Sequence, residues 1–240
     1  MDRPHKNFSQ YKILFFIPAR GGSKGIPFKN IKELGGKPLI YYSIDIARNF
    51  ADDKDICVSS DSDEIINVVK KYGIDVPFVR PAHLATDESP IDDSIKHALD
   101  FYTSKGVSYD VVILLQPTSP FRKKEHVETA LNKYRNDIDM VVTVFETDAN
   151  PYFVLFEEDE TGFIYKSKTG NFYRRQDCPK VWRLNGAVYV INTDSLKSMP
   201  IKDFKKIIKS EMEEIFSVDI DTLLDWQWAE FLLKSGNVKL

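Results

Sequence analysis

The sequence predicts an α/β layer fold, a mixed and mostly parallel sheet with helices on both faces. Two observations carry the prediction. From Lys12 onward, short β-branched or aromatic runs alternate with longer amphipathic ones, as crossover units around a largely parallel sheet do. The first such run also ends in a glycine-bearing loop, the place where α/β proteins gather ligands. The strands predicted in order are KILFFI from Lys12, DICVSS from Asp55, DVPFV from Asp75, DVVILLQ from Asp110, MVVTVF from Met140, GAVYVI from Gly186 and EIFSVDI from Glu214. Helices are predicted over Pro38 to Phe50, Ser62 to Tyr72, Ile91 to Ser104, Lys123 to Arg135 and Thr222 to Lys234, each with apolar residues at helical spacing beside a turn former.

With 240 residues and 42% hydrophobic content the chain can bury a sizeable core, and one domain over 12–240 is expected behind a loose arm at 1–11. A net charge of -3 lacks the basic surplus of a nucleic-acid binder. ILFFI at Ile13 to Ile17 is too short to span a membrane and reads as a buried strand. Cys57 and Cys178 form no CxxC pair, which fits a reducing, cytoplasmic setting. One stretch breaks the alternation. Residues 147–183 mix seven aromatics, from Tyr152 to Tyr173, with charges and the turn glycines Gly162 and Gly170, which predicts hairpins outside the main sheet. Such a stretch is either a local subdomain or an arm that buries its apolar side chains against a second copy.

The loop after the first strand reads IPARGGSKGIPFKN, Ile17 to Asn30. It matches neither GxGxxG nor GxxxxGK[ST], so neither a dinucleotide site nor a P-loop ATPase is indicated. Arg20, Lys24 and Lys29 on a pliable backbone suit an anion heavier than one phosphate, and a nucleoside triphosphate fits. A solvated turn is the plainer alternative. Asp219 and Asp221 stand two apart, so in an extended chain both face one way; hard carboxylates so placed suit Mg²⁺ completed by substrate phosphates. Otherwise one of them caps the following helix. Gln116 closes a strand before a Pro-Thr-Ser-Pro turn, Arg80 opens a polar loop able to read a base, and Arg175 or Arg183 can pair with a carboxylate or a surface glutamate.

Four stretches in order carry a resemblance: IPARGGSKGIPFKN, LQPTSPFR at Leu115 to Arg122, RRQDCPKVWRLNGAVYV at Arg174 to Val190, and SVDIDT at Ser217 to Thr222. Together they resemble the acylneuraminate cytidylyltransferases, or CMP-sialic acid synthetases. The resemblance implies a seven-stranded sheet of nucleotidyltransferase type, a homodimer, CTP as donor and a nine-carbon 2-keto sugar acid as acceptor. It implies that Ala19, Arg20, Gly22, Lys24, Lys29, Asn30, Arg80 and Ser89 bind CTP, and that Asp219 and Asp221 bind Mg²⁺. Gln116, Arg175, Arg183, Asn185 and Tyr189 would then meet the sugar acid, with Arg20, Lys29 and the two aspartates as the catalytic set. Tyr152 and Phe153 stand where some bacterial sialic-acid members present Lys, so sialic, legionaminic and pseudaminic-type acceptors all stay open. A nucleotide-sugar-dependent glycosyltransferase, suggested by the Asp219-Ile220-Asp221 triplet, is the competing enzyme, although such a triplet is expected mid-chain. A nucleotide sensor without activity would need no paired carboxylates.

Overall fold

Residues Leu14 to Ile17 of β1 (Ile13–Pro18) are all buried, as a strand covered on both faces requires. The computed structural model describes residues 10–22 and 25–239, so residues 1–9 of the expected arm lie outside it. Tyr11 packs edge-on against Tyr134, with ring centroids 5.4 Å apart.

β1 pairs in parallel with β4 (Ile56–Ser59) and β5 (Val111–Leu114). β9 (Trp182–Asn192) lies antiparallel between β5 and β6 (Met140–Glu146), and β10 (Ile207–Glu211) joins β6 in parallel. The spatial order is β10-β6-β9-β5-β1-β4. Side-chain alternation along β1 sends Phe15 and Ile17 to one core and Leu14 and Phe16 to the other. The first core receives α1 (Leu39–Arg48), α2 (Asp63–Lys71) and α4 (Lys124–Lys133). The second receives α3 (Ile91–Ser104) and α5 (Thr193–Ser198). A third cluster packs α6 (Leu223–Lys234), through Trp226, Ala229 and Leu232, on Phe121, Ile220 and Leu39. A minor hairpin of β2 (Glu33–Leu34) and β3 (Lys37–Pro38) precedes α1.

All five predicted helices form, but the sheet has six strands where seven were expected. Asp75 to Val79 makes only a single bridge, Ser60 to Val79, because Pro77 has no N–H to continue a ladder. The stretch from Glu214 folds as a 3-10 turn over Glu214–Phe216 and then runs irregularly. β10, unforeseen, carries Lys209 and Glu211 as an edge strand does, which hid its period. α5, also unforeseen, is only six residues long. Among the described residues no helix is long and apolar enough to cross a membrane.

The stretch 147–183 does leave the sheet. Its hairpin of β7 (Phe156–Glu158) and β8 (Ile164–Lys166) forms a separate two-stranded sheet. The turn between them is an Asx motif in which Asp159 Oδ1 accepts from the amides of Thr161 and Phe163. Phe163, Ile164 and Tyr165 are exposed, and Tyr173 is 91% exposed.

Candidate active site

A cavity of about 330 Å³ opens at the carboxyl ends of β1 and β5. Three walls come from the loop after β1, the loop from Arg80 to Ser89, and the turn Gln116–Thr118 with Asp219 and Asp221 opposite. This is the edge at which α/β sheets bind ligands.

The first wall is held from below. The Ala19 amide donates to the Ser59 carbonyl at 2.9 Å, the Gly21 amide to Asp61 Oδ1 at 2.9 Å, and Asn30 Nδ2 to the Arg20 carbonyl at 3.1 Å. Ala19 is wholly buried and is a support for the wall, while Gly22 faces open space. Lys24 lies outside the described residues. Phe28 takes a left-handed conformation, φ 50°, unusual for a residue with a ring, and turns the chain into the short 3-10 turn that carries Lys29. Lys29 is 8% exposed; its Nζ donates to the Ile220 carbonyl at 2.6 Å and to Asp221 Oδ1 at 2.9 Å. The basic loop and the Asp221 segment, 192 residues apart in sequence, are thus tied together by one ammonium. Gly25 makes the approach possible, since a Cβ there would overlap the Asp221 carbonyl oxygen.

Asp219 and Asp221 flank buried Ile220, whose amide donates to the Thr118 carbonyl at 2.8 Å. The segment is extended without belonging to the sheet. Neither aspartate caps α6: Thr222 does, and Asp225 completes the capping box by accepting from the Thr222 amide at 2.7 Å. Burial pushes the Asp219 carboxyl up, while a hydrogen bond with the Thr118 hydroxyl pulls it the other way. Its Oδ1 is buried without a partner, the condition of an oxygen that awaits a cation. Asp221 is largely exposed. Two hard carboxylates therefore fit Mg²⁺, but no cluster of three or more metal-ligating side chains exists among the described residues, so substrate and water must complete the shell.

On the second wall Arg80 is buried under its own loop, donating from Nε to Ser59 Oγ at 2.9 Å and from Nη2 to the Ser59 carbonyl. Burial lowers its pKa, and Asp61 opposes that shift. Ser89 Oγ donates to the His83 carbonyl at 2.6 Å and meets Thr86 Oγ1 at 2.7 Å, so it shapes the loop. Arg20 reaches over from the first wall to form an ion pair with Asp87.

Gln116 stands on the third wall. Gly186, at φ 70°, leaves it room: a Cβ there would come within 2.7 Å of Gln116 Oε1 and 2.8 Å of Ser119 Oγ. The other residues expected to meet a sugar acid are placed apart from the cavity lining. Asn185 is buried, accepting from Thr143 Oγ1 at 2.7 Å and donating to Ser217 Oγ at 2.9 Å. Tyr189 is partly buried, close enough to Asp219 for that charge to help burial raise its pKa. Arg183 lies over the Phe145 ring, and Arg175 pairs with Asp148 at 2.8 Å beside a second cavity under the aromatic stretch. Sequence reasoning missed Asp87 and Thr118 at the cavity, and gave Arg122 no place in the site. Arg122 is buried just beneath the floor. The four polar side chains of LQPTSPFR, Gln116, Thr118, Ser119 and Arg122, were the available signal.

Cations along one wall thus face two carboxylates at the carboxyl edge of a mixed sheet. Residues 14–232 match the family described as Cytidylyltransferase, and the chain belongs to that family. It is 33% identical over 226 residues to the CMP-N,N'-diacetyllegionaminic acid synthase of Legionella pneumophila, covering 93% of this chain and 97% of that protein. It is 34% identical over 218 residues to an N-acylneuraminate cytidylyltransferase of Streptococcus agalactiae, covering 90% of this chain but 52% of that longer protein. Among solved structures, a CMP:2-keto-3-deoxy-manno-octonic acid synthetase in complex with CTP shares the fold, with a TM-score of 0.68 at 18% identity over 94% of this chain and 99% of that one.

Proposed function

We propose that this chain transfers CMP from CTP to the anomeric hydroxyl of a nonulosonic acid and releases pyrophosphate. The observation that carries the reading is the convergence of Lys29 with Asp219 and Asp221 at one edge of the cavity, in a chain of the cytidylyltransferase family. The acceptor oxygen bonds to the α-phosphorus as the bond to the bridging oxygen breaks, the hydroxyl proton passes to solvent, and the pyrophosphate leaves with the electron pair. Arg20 exchanges its ion pair with Asp87 for phosphate oxygens, and Lys29 turns from Asp221 toward the same anion. The Arg80 loop receives the cytosine, with Ala19 and Asn30 bracing the phosphate loop and Gly22 and Lys24 completing its anion face. Asp219 and Asp221 would hold Mg²⁺, which supplies charge neutralisation and lowers the pKa of a ligated oxygen. Little covalent chemistry falls to the protein, whose work is positioning in a pocket matched to the charge that develops.

Gln116 faces the acceptor, with Tyr189 and Asn185 behind it. Arg175 and Arg183 point to a role for the aromatic stretch in binding the acid, and its exposed side chains suit burial in a homodimer. Legionaminic- and neuraminic-acid relatives match this chain almost equally, which supports the class of acceptor. The free thiols of Cys57 and Cys178 suit a cytoplasmic setting. The test is pyrophosphate release with CTP, UTP, ATP and GTP against neuraminic, legionaminic and pseudaminic acids and the eight-carbon 2-keto-3-deoxy-manno-octonic acid. CTP-dependent release with at least one nine-carbon acid is expected. Release with none of them, or with UTP equally, rejects the reading.

A further inference from the structure

We propose that Arg122 is the positioning residue of the cavity floor, anchoring the Gln116–Thr118 turn to α1 and, through that turn, the Asp219 segment, so that both present their side chains to bound substrates. The substrate part of this inference rests on the function proposed above; the tie itself does not.

Arg122 is 1% exposed and heads the largest fully buried side chains. Its Nη2 donates to the Gln116 carbonyl, folding the turn back on itself, and its Nη1 donates to Ser43 Oγ of α1 at 2.7 Å. No ion-pair partner closes on it among the described residues, its Nε has no partner at all, and the carboxylate whose charge reaches it is Asp219. Burial drives its pKa down to about 9, against the pull of Asp219. A guanidinium buried so sparsely is a poor way to fill a core, where an apolar side chain of similar volume serves stability as well or better. Its placement makes sense through its neighbours. Thr118, two residues beyond the carbonyl that Arg122 grips, accepts at 2.8 Å from the amide of Ile220, next to Asp219 in the chain. Phe121, next to Arg122, packs in one cluster with Ile220. A helix and a strand-end turn thus meet on one side chain, and the carboxylate segment joins them through Thr118. The planar fork can serve two acceptors at fixed angles, which an ammonium cannot.

Arg122→Lys keeps the charge and loses the fork. The first readout is hydrogen exchange by peptide, which needs no substrate. Peptides over 115–122 and 217–222 are expected to exchange about tenfold faster, with those over 111–114 and 187–191 unchanged. The second is steady-state kinetics, where kcat is expected to fall about tenfold while KM for CTP stays within about threefold. Equal acceleration throughout the sheet makes Arg122 a general core residue and overturns the proposal, as does unchanged exchange at the floor or unchanged kcat. If no acceptor supports turnover of the wild type, the functional reading fails and exchange alone decides the tie. Should Arg122→Lys not fold, Ser43→Ala, which removes only the far anchor, is read in the same way with effects of about threefold.

Discussion

The cavity and the aromatic stretch differ in how their groups are matched. At the cavity most charges find partners within the chain, Asp219 Oδ1 excepted: Lys29 has Asp221, Arg20 has Asp87, and Arg80 has Ser59. Along 147–183 the charged groups also pair, as Arg174 does with Asp177 and Lys180 with Glu146, but several of the apolar ones stay uncovered. Phe163, Ile164 and Tyr173 face outward around a hairpin too small to own a core. Polar groups can be balanced one against one by a single chain, whereas apolar area is covered only by a second surface. The cavity is therefore lined within one copy, while the aromatic stretch leaves apolar side chains that the proposed homodimer would cover.

The strongest test of the cavity half is to unbalance it. Asp219→Asn and Asp221→Asn are each expected to lower turnover about 10²- to 10³-fold, and together little more, since both act at one ion. Neither is expected to move the melting temperature far, because Thr222 and Asp225 cap α6. Additive losses, or full activity in excess EDTA, would separate the carboxylates from a common metal. Lys29→Ala comes next, with a loss of roughly 3 kcal/mol in transition-state stabilisation read as kcat/KM. If CTP binding by calorimetry is intact and turnover is near wild type, Lys29 only braces the Asp221 segment.

The aromatic half is tested by Phe163→Ser together with Ile164→Ser. Each side chain, if buried in a dimer, contributes about 1.5–3 kcal/mol to association. Light scattering is expected to show a shift from dimer toward monomer, with the sheet's melting little changed. A wild-type chain that is monomeric and active at micromolar concentration would remove the partner from the comparison.

A smaller effect separates the two halves by pH. Burial lowers the pKa of both His97 and His126, which lie in α3 and α4 of the main body, with Asp100 and Glu213 acting the other way. A histidine depressed in the folded state binds fewer protons there than in the unfolded chain below about pH 6.5, so stability present at neutral pH is lost as pH falls from about 6.5 through the lowered values. The melting temperature is expected to decline between pH 7 and 5, and His97→Gln with His126→Gln to flatten the decline. A flat wild-type profile would show that the offsetting carboxylates win.

Much of this was legible before any coordinates. Period and turn chemistry mark β1, β5 and all five longer helices because each buries a regular face. β10 and α5 were not legible, one being a charged edge and the other a single turn and a half. At the site, the basic loop, the Asp219–Asp221 pair and Gln116 stand out by composition and position. The ties between them do not: that Lys29 reaches Asp221, or that Arg122 grips Gln116, depends on chain paths that cross the sheet edge. Asn185 shows the same limit, since a motif names the residue while only packing shows its amide bonded to Thr143 and Ser217.

Gly22 and Gly25 look alike in the string, yet they give the loop opposite freedoms to drift. At position 25 any side chain collides with the Asp221 carbonyl, so mutation is closed there unless the carboxylate segment moves in the same step. At position 22 a methyl group meets nothing within 4 Å and the backbone is not left-handed, so Gly22→Ala should leave the melting temperature unchanged or slightly raised, by up to about 1 kcal/mol of chain entropy. Variation can therefore accumulate at residue 22, while residue 25 keeps the loop and the Asp221 segment in step.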